Sequence, residues 1–127
     1  MLKDLDAHPI LAVSDLDRAR RFYGETLGLK EDAADGEEGM AAYRTGSTRL
    51  TIYVSEFAGT NKANALVWPV GSGIEDIVAD LRGKGVTFEK YDFPNTTFED
   101  GIHKSGDARM VWFKDPDGNI LHLVQGM

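Results

Sequence analysis

Three histidines carry most of the chemistry this sequence offers: His8 near one end, His122 near the other, and His103 between them. A neutral imidazole binds a divalent ion through one ring nitrogen, or serves as a general base near neutral pH. It also lines pockets simply as a hydrogen-bonded polar residue. His122 alternates with Ile120 and Val124, and His8 with Ile10 and Ala12. Each therefore shares a strand face with apolar neighbours. Such rings either point into a hollow or are buried with a partner. There is no cysteine, which removes thiolate ligands, thiol nucleophiles and disulfides.

His103 lies in a long polar and aromatic segment, Asp92–Asp107, with Phe93, Pro94, Phe98 and Ile102. A structureless stretch of that length suits a lid whose rings cover a small planar ligand. The competing reading packs Phe93 and Phe98 down the loop, against the body or a dimer partner. Trp68 and Trp112 fall on predicted strands and read as core. Tyr53 is the better pocket residue, because a buried phenol needs a polar partner. Arg49 and Arg109 are candidate anchors for an anionic group, though such arginines are more commonly surface ion pairs.

The elements that must position these residues follow from local pattern. Ala7–Val13 is a predicted strand with Pro9 near its start. Ser14 and Asp17 form an S-x-x-D capping box, which starts a helix at Asp15. Leu16, Ala19, Tyr23 and Leu27 follow at helical spacing, and Gly28 stands where a left-handed C′ residue is wanted. Asp17 and Glu25 are spaced to pair with Arg21 on a solvated face. A weak strand, Lys30–Ala34, an acidic turn, Asp35–Gly39, and a hairpin of Met40–Thr45 and Arg49–Ser55 complete a first unit. The pattern then restarts. Ala63–Val70 is a strand, Ile74, Ile77, Val78 and Leu81 form an apolar helical stripe ended at Gly83 or Gly85, and Thr87–Tyr91 is a strand. Ala108–Lys114 and Ile120–Val124 close as a hairpin over the Asp115-Pro116-Asp117-Gly118 turn.

The restart has a measurable period. Fifty-seven residues separate Val13 from Val70 and Gly28 from Gly85, whereas 70 separate Leu50 from Ile120. The second copy is longer, and Asp92–Asp107 is the place for the extra residues. A single α+β domain over residues 1–127 is expected, built of two βαβββ units at about 1–58 and 59–127. Each unit leaves one sheet face uncovered, so the units must pair with each other or with a second chain.

Charge narrows the partners. Fourteen Lys and Arg against 21 Asp and Glu give a net charge of −7, which repels nucleic-acid backbones. No apolar run is long enough to span a bilayer. A cytoplasmic protein with no membrane or nucleic-acid partner is the expectation. No phosphate-binding glycine loop or nucleophile elbow occurs, and the aspartate-rich turns lack calcium-loop spacing.

Val13-Ser14-Asp15-Leu16-Asp17-Arg18-Ala19, Phe22-Tyr23, Leu27-Gly28-Leu29 and Phe113-Lys114-Asp115-Pro116-Asp117-Gly118-Asn119, set on that repeat, resemble the vicinal oxygen chelate superfamily. This group comprises glyoxalase I, bleomycin-resistance proteins and extradiol dioxygenases. The resemblance implies sheets curled into an open curved barrel around a small-molecule pocket, commonly in a homodimer. It implies metal ligands at His8 and at His122, where glutamate is more usual, with zinc, nickel, manganese or iron as the ion. The two further ligand positions map to Thr51 and to Ala65, beside Asn64, and neither threonine nor alanine is a useful ligand. If Thr51 faces the cavity, Tyr53 does too. Water, substrate oxygens or His103 would have to complete a metal site. The expectation is therefore a small-molecule-binding homodimer whose pocket includes His8, Thr51, Tyr53, Phe93, Phe98, His103 and His122. A metal-dependent lyase, isomerase or dioxygenase using His8 and His122 is the alternative.

Overall fold

Strands covered on one face only must alternate buried and open side chains. Leu11 and Val13, Leu50 and Ile52, and Leu121 and Leu123 are the buried members of such alternations. In a computed structural model, which describes residues 1–32 and 39–126, these strands form two sheets. The acidic turn at Asp35–Gly39, apart from Gly39, and the end of the Lys30–Ala34 strand lie outside the described residues. By its contacts the chain divides into Met1–Thr60 with Pro116–Gly118, and Asn61–Asp115 with Asn119–Met127.

The first unit carries β1 (Ile10–Val13), α1 (Leu16–Arg20), β2 (Lys30–Glu31), β3 (Met40–Thr45) and β4 (Thr48–Val54). The sheet order is β1-β4-β3-β2, with β1 and β4 parallel and the other pairs antiparallel. Ala19 and Tyr23 are buried with Leu11, Val13, Tyr43, Leu50 and Ile52. The helix runs on from α1 as a π-helical stretch, Arg21–Thr26, and the Leu27 N–H donates to Phe22, five residues back. Gly28 then takes φ +75 at the left-handed stop.

The helix start differs from expectation by one residue. Asp15, not Ser14, is the N-cap, and its carboxylate accepts from the Arg18 N–H at 3.0 Å. Ser14 is drawn elsewhere. Its N–H donates to Asp117 Oδ2 at 3.1 Å, its hydroxyl donates to Asp117 Oδ1, and Arg18 Nη2 reaches that same oxygen at 3.1 Å. The two sequence motifs that stand farthest apart thus meet within the first unit. Arg20, rather than Arg21, pairs with Asp17, at 3.9 Å, and with Glu31, at 3.4 Å.

The second unit carries β5 (Asn64–Pro69), α2 (Ile74–Gly83), β6 (Thr97–Glu99), β7 (Ile102–Ser105), β8 (Ala108–Lys114) and β9 (Ile120–Gln125). Its order is β5-β9-β8-β7-β6. Ile74, Val78 and Leu81 are buried with Val111, Phe113, Leu121 and Leu123, while Ile77 is left on the open side of α2.

Two expectations fail here for one reason. The predicted strand Thr87–Tyr91 is reduced to a single bridge, Phe88 to Phe113. This bridge is the repeat mate of Glu31 to Tyr43 in the first unit. Asp92–Asp107 is not structureless: it folds into the β6–β7 hairpin, and β7 takes the remaining edge of β8. The extra residues of the second copy have built a hairpin on the edge that the predicted strand would have filled. Its turn is Asp100-Gly101, at φ +52 and +82, as a two-residue hairpin with positive φ at both central residues requires.

Candidate functional site

One face of the second sheet gathers most of the aromatic residues the sequence singled out. The register sets Phe98 opposite His103, His103 opposite Met110, and Trp112 opposite His122. Cross-strand partners share a face, so the rings of Phe98, His103, Trp112 and His122 stand on one side. The segment after the Phe88 bridge lays Tyr91 and Phe93 over them. Trp112 lies 4.4 Å from His122, nearly parallel at 13°, and 5.0 Å from His103, edge-on. Phe93 lies 5.3 Å and Tyr91 5.4 Å from Trp112, and Phe98 lies 4.8 Å from His103.

His103 is the centre of this cluster and is fully buried. Its Nε2 meets both backbone groups of Tyr91, the N–H at 3.0 Å and the carbonyl at 3.2 Å. Its Nδ1 is buried without a hydrogen-bond partner. In this arrangement Nε2 faces Tyr91 and Nδ1 is enclosed, so neither nitrogen is presented to a ligand. Its place is to hold the Tyr91–Phe93 segment on the sheet.

His122 is half-buried and differently placed. Nδ1 lies 2.9 Å from the Val111 carbonyl. A carbonyl only accepts, so Nδ1 carries the proton and Nε2 keeps a lone pair. Nε2 has no hydrogen-bond partner among the described residues. Burial lowers the pKa of the ring below its ordinary 6.5, and the Val111 bond only partly offsets this. At neutral pH the imidazole is an uncharged acceptor.

Of the remaining predicted site residues, all but Arg109 sit in the first unit. Thr51 and Tyr53 lie on one face of β4, opposite Ile10 and Ala12 of β1 and Ala42 and Met40 of β3. Both are partly exposed. Tyr43, on the covered face, donates its hydroxyl to Glu31 at 3.3 Å. Burial, then the charge of Glu31, pushes its pKa up to about 12. His8 is exposed and lies just before β1, which starts at Ile10 rather than Ala7. Arg49 lies 3.9 Å from Asp32, and Arg109 donates to the carbonyls of Gly106 and Ala108 at 2.8 and 2.9 Å. As anion anchors, both are already engaged.

The donor set does not fit a protein-held metal ion. No three of His, Asp, Glu or Cys gather among the described residues. Thr51 and Ala65 supply no replacement, and Ala65 sits at an irregularity in β5, where the register shifts between Asn64 and Leu66.

The expectation that Trp112 is core holds, since the ring is buried. Its contacts with His122 and Asn64, and the places of Tyr91 and Asn64, are not read from the sequence. Trp112 Nε1 donates to Asn64 Oδ1 at 3.1 Å, reaching across β9 to β5. The signal for Trp112 was present: counting outward from the Asp115–Asn119 turn, Lys114 meets Ile120 and Trp112 meets His122. Tyr91 and Asn64 depend on a crossover and a bulge that have no comparable local mark.

Residues 7–123 match the family model described as the Glyoxalase/Bleomycin resistance protein/Dioxygenase superfamily. A probable lactoylglutathione lyase of Synechocystis sp. is 29% identical over 93% of this chain and 92% of its own length. Among solved structures, a glyoxalase family protein from Enterococcus faecalis superposes with a TM-score of 0.72 at 23% identity, over 98% of this chain and 99% of that one. The fosfomycin resistance protein FosX from Mesorhizobium loti superposes with a TM-score of 0.69 at 17% identity, over 98% and 93%.

Proposed function

Since the chain belongs to the glyoxalase/bleomycin resistance protein/dioxygenase superfamily, we propose that it is a member that binds a small, flat, partly aromatic molecule as a homodimer, without a metal ion held by its own side chains. The observation that carries this reading is the half-buried His122 imidazole, stacked on the buried Trp112 ring, with Nδ1 on the Val111 carbonyl and Nε2 uncommitted. An aromatic platform binds a flat ring by apolar burial and stacking. A lone-pair nitrogen at its rim orients the ligand through one hydrogen bond. His103 fixes the Tyr91–Phe93 wall of this face. On the first unit, taken by itself, Thr51, Tyr53 and His8 are proposed as ligand-binding residues.

A second reading has one observation in its favour. Metal-ligating imidazoles commonly donate their other ring N–H to a backbone carbonyl, as His122 does to Val111. On that reading the ion would polarise neighbouring oxygens of a substrate, as metal-assisted lyases, isomerases and dioxygenases require. The incomplete donor set weighs against it.

A titration of the Trp68→Phe protein with 1-naphthol separates the readings, because Trp112 is then the sole tryptophan. Saturable quenching of its emission, unchanged by chelator, is the expected result. Stoichiometric zinc, nickel, manganese or iron in protein purified without chelator, lost in His122→Ala, would establish the metal reading instead. Mass measurement in solution tests the dimer, and a monomer at micromolar concentration would contradict it.

A further inference from the structure

Trp112 holds two polar groups of opposite character at its edges. One face of the indole carries the His122 ring, whose Nε2 accepts. The indole N–H donates to Asn64 Oδ1. An indole nitrogen only donates, so the bond fixes which end of the Asn64 amide is oxygen. Asn64 Nδ2 then keeps two hydrogens that meet no acceptor among the described residues. Asn64 is exposed, and Val67, the β5 neighbour of His122, is 46% exposed. An acceptor and a donor therefore stand on adjacent strands at an open, apolar margin.

Charge around His122 is sparse, while on the Asn64 side the exposed Lys62 stands two residues away along the chain. His122 and Asn64 are neutral, and Lys114, which faces Ile120, is paired with Glu89 at 3.3 Å. Lys90 rests over the Phe98 ring at 5.6 Å. Phe98 stands on β6, three strand spacings from β9, or about 14 Å at the usual separation. An anionic ligand group at His122 would shed water without gaining a cation.

We infer that the ligand of this face is an uncharged cyclic amide, a lactam, imide or pyridone, whose N–H donates to His122 Nε2 and whose carbonyl accepts from Asn64 Nδ2. This rests on the small-molecule reading above and adds the chemical class. A ring amide carries a donor and an acceptor on one flat frame, the chemical complement of the His122 Nε2 acceptor and the Asn64 Nδ2 donor on adjacent strands. A carboxylate lacks the donor, and a simple ether lacks it too.

The test compares 2-pyridone with N-methyl-2-pyridone, which keeps the ring and carbonyl but has no N–H. Binding is followed by the nitrogen resonances of the His122 ring and the Asn64 side chain. The expected result is that 2-pyridone binds about tenfold more tightly, the worth of one good hydrogen bond, and moves both resonances. His122→Phe keeps a ring over Trp112 without the acceptor and should abolish the preference. Asn64→Asp keeps an oxygen for the indole N–H but removes the donor, and should weaken both probes. Equal binding of the two probes to the unaltered protein, where no variant need fold, overturns the inference. If 1-naphthol still quenches Trp112 in that case, the small-molecule reading survives; if neither pyridone nor 1-naphthol binds, both fall together.

Discussion

The two units share one plan and differ in what stands on the sheet face away from the helix. In the first, that face carries Ile10, Ala12, Met40, Ala42, Thr51 and Tyr53, mostly small or aliphatic side chains. In the second, it carries Phe98, His103, Met110, Trp112 and His122, with Tyr91 and Phe93 laid over them. The covered faces remain alike: Val13, Leu50 and Ile52 in one, Val111, Leu121 and Leu123 in the other, all buried aliphatics. The two units carry the same kind of side chain under their helices and different kinds on the opposite faces. The chemistry is concentrated where the fold makes the weaker demand.

The largest expected effect comes from the covered side. Phe113 is buried and packs edge-on to Phe88 at 5.9 Å. Phe113→Ala should cost about 4 kcal/mol in chemical denaturation, as large-to-small changes of buried aromatics do. Trp112→Phe, on the face away from the helix, alters a buried ring but keeps an aromatic there, and should cost less in stability while weakening 1-naphthol binding. Equal stability losses would erase the distinction between the faces.

The hairpin turns sharpen it further. Gly101 has φ +82, and a Cβ there would meet Arg82 Nη2 at 2.7 Å and the Phe88 Cβ at 3.2 Å. Gly46, in the β3–β4 turn, has φ +57 and open space around it. Gly101→Ala should cost about 2 kcal/mol and Gly46→Ala about 1, measured by thermal unfolding. A smaller next effect, about 1 kcal/mol, is expected for Asp15→Ala, which removes the helix cap; Ser14→Ala should leave the cap intact.

The smallest effects are those of pH, and they fall on opposite limbs. His122 has a folded-state pKa below its ordinary 6.5, so the unfolded chain binds the proton more readily. Its contribution is complete above 6.5 and is lost as pH falls below that value. Tyr43 has a folded-state pKa near 12, above its ordinary 10, so its contribution is complete below 10 and is lost as pH rises through 12. Denaturation across pH should show His122→Phe flattening the acid limb and Tyr43→Phe the alkaline one.

The sequence makes the repeat, both helices and the two tight hairpins legible, because period, glycine position and turn residues are local signals. The helix cap was misplaced by one residue because Ser14 answers to Asp117, a partner about a hundred residues away. Asp100-Gly101 is a strong turn dipeptide, but the strands flanking it are only three and four residues long, too short for an alternation to mark them as a hairpin. His122 was legible as a candidate from strand alternation. Its neutral state and its free nitrogen were not, since both depend on the Val111 carbonyl across the sheet. Asn64 lay beyond reach, because its role is set by a ring that spans an intervening strand.

Nitrogen-15 spectra of the histidine side chains at neutral pH, recorded with and without 1-naphthol, address the central claim most directly. The account predicts a neutral His122 ring protonated at Nδ1, with an unprotonated Nε2 whose resonance moves as the ligand is added. A ring protonated at Nε2, or one indifferent to a ligand that quenches Trp112, would contradict it.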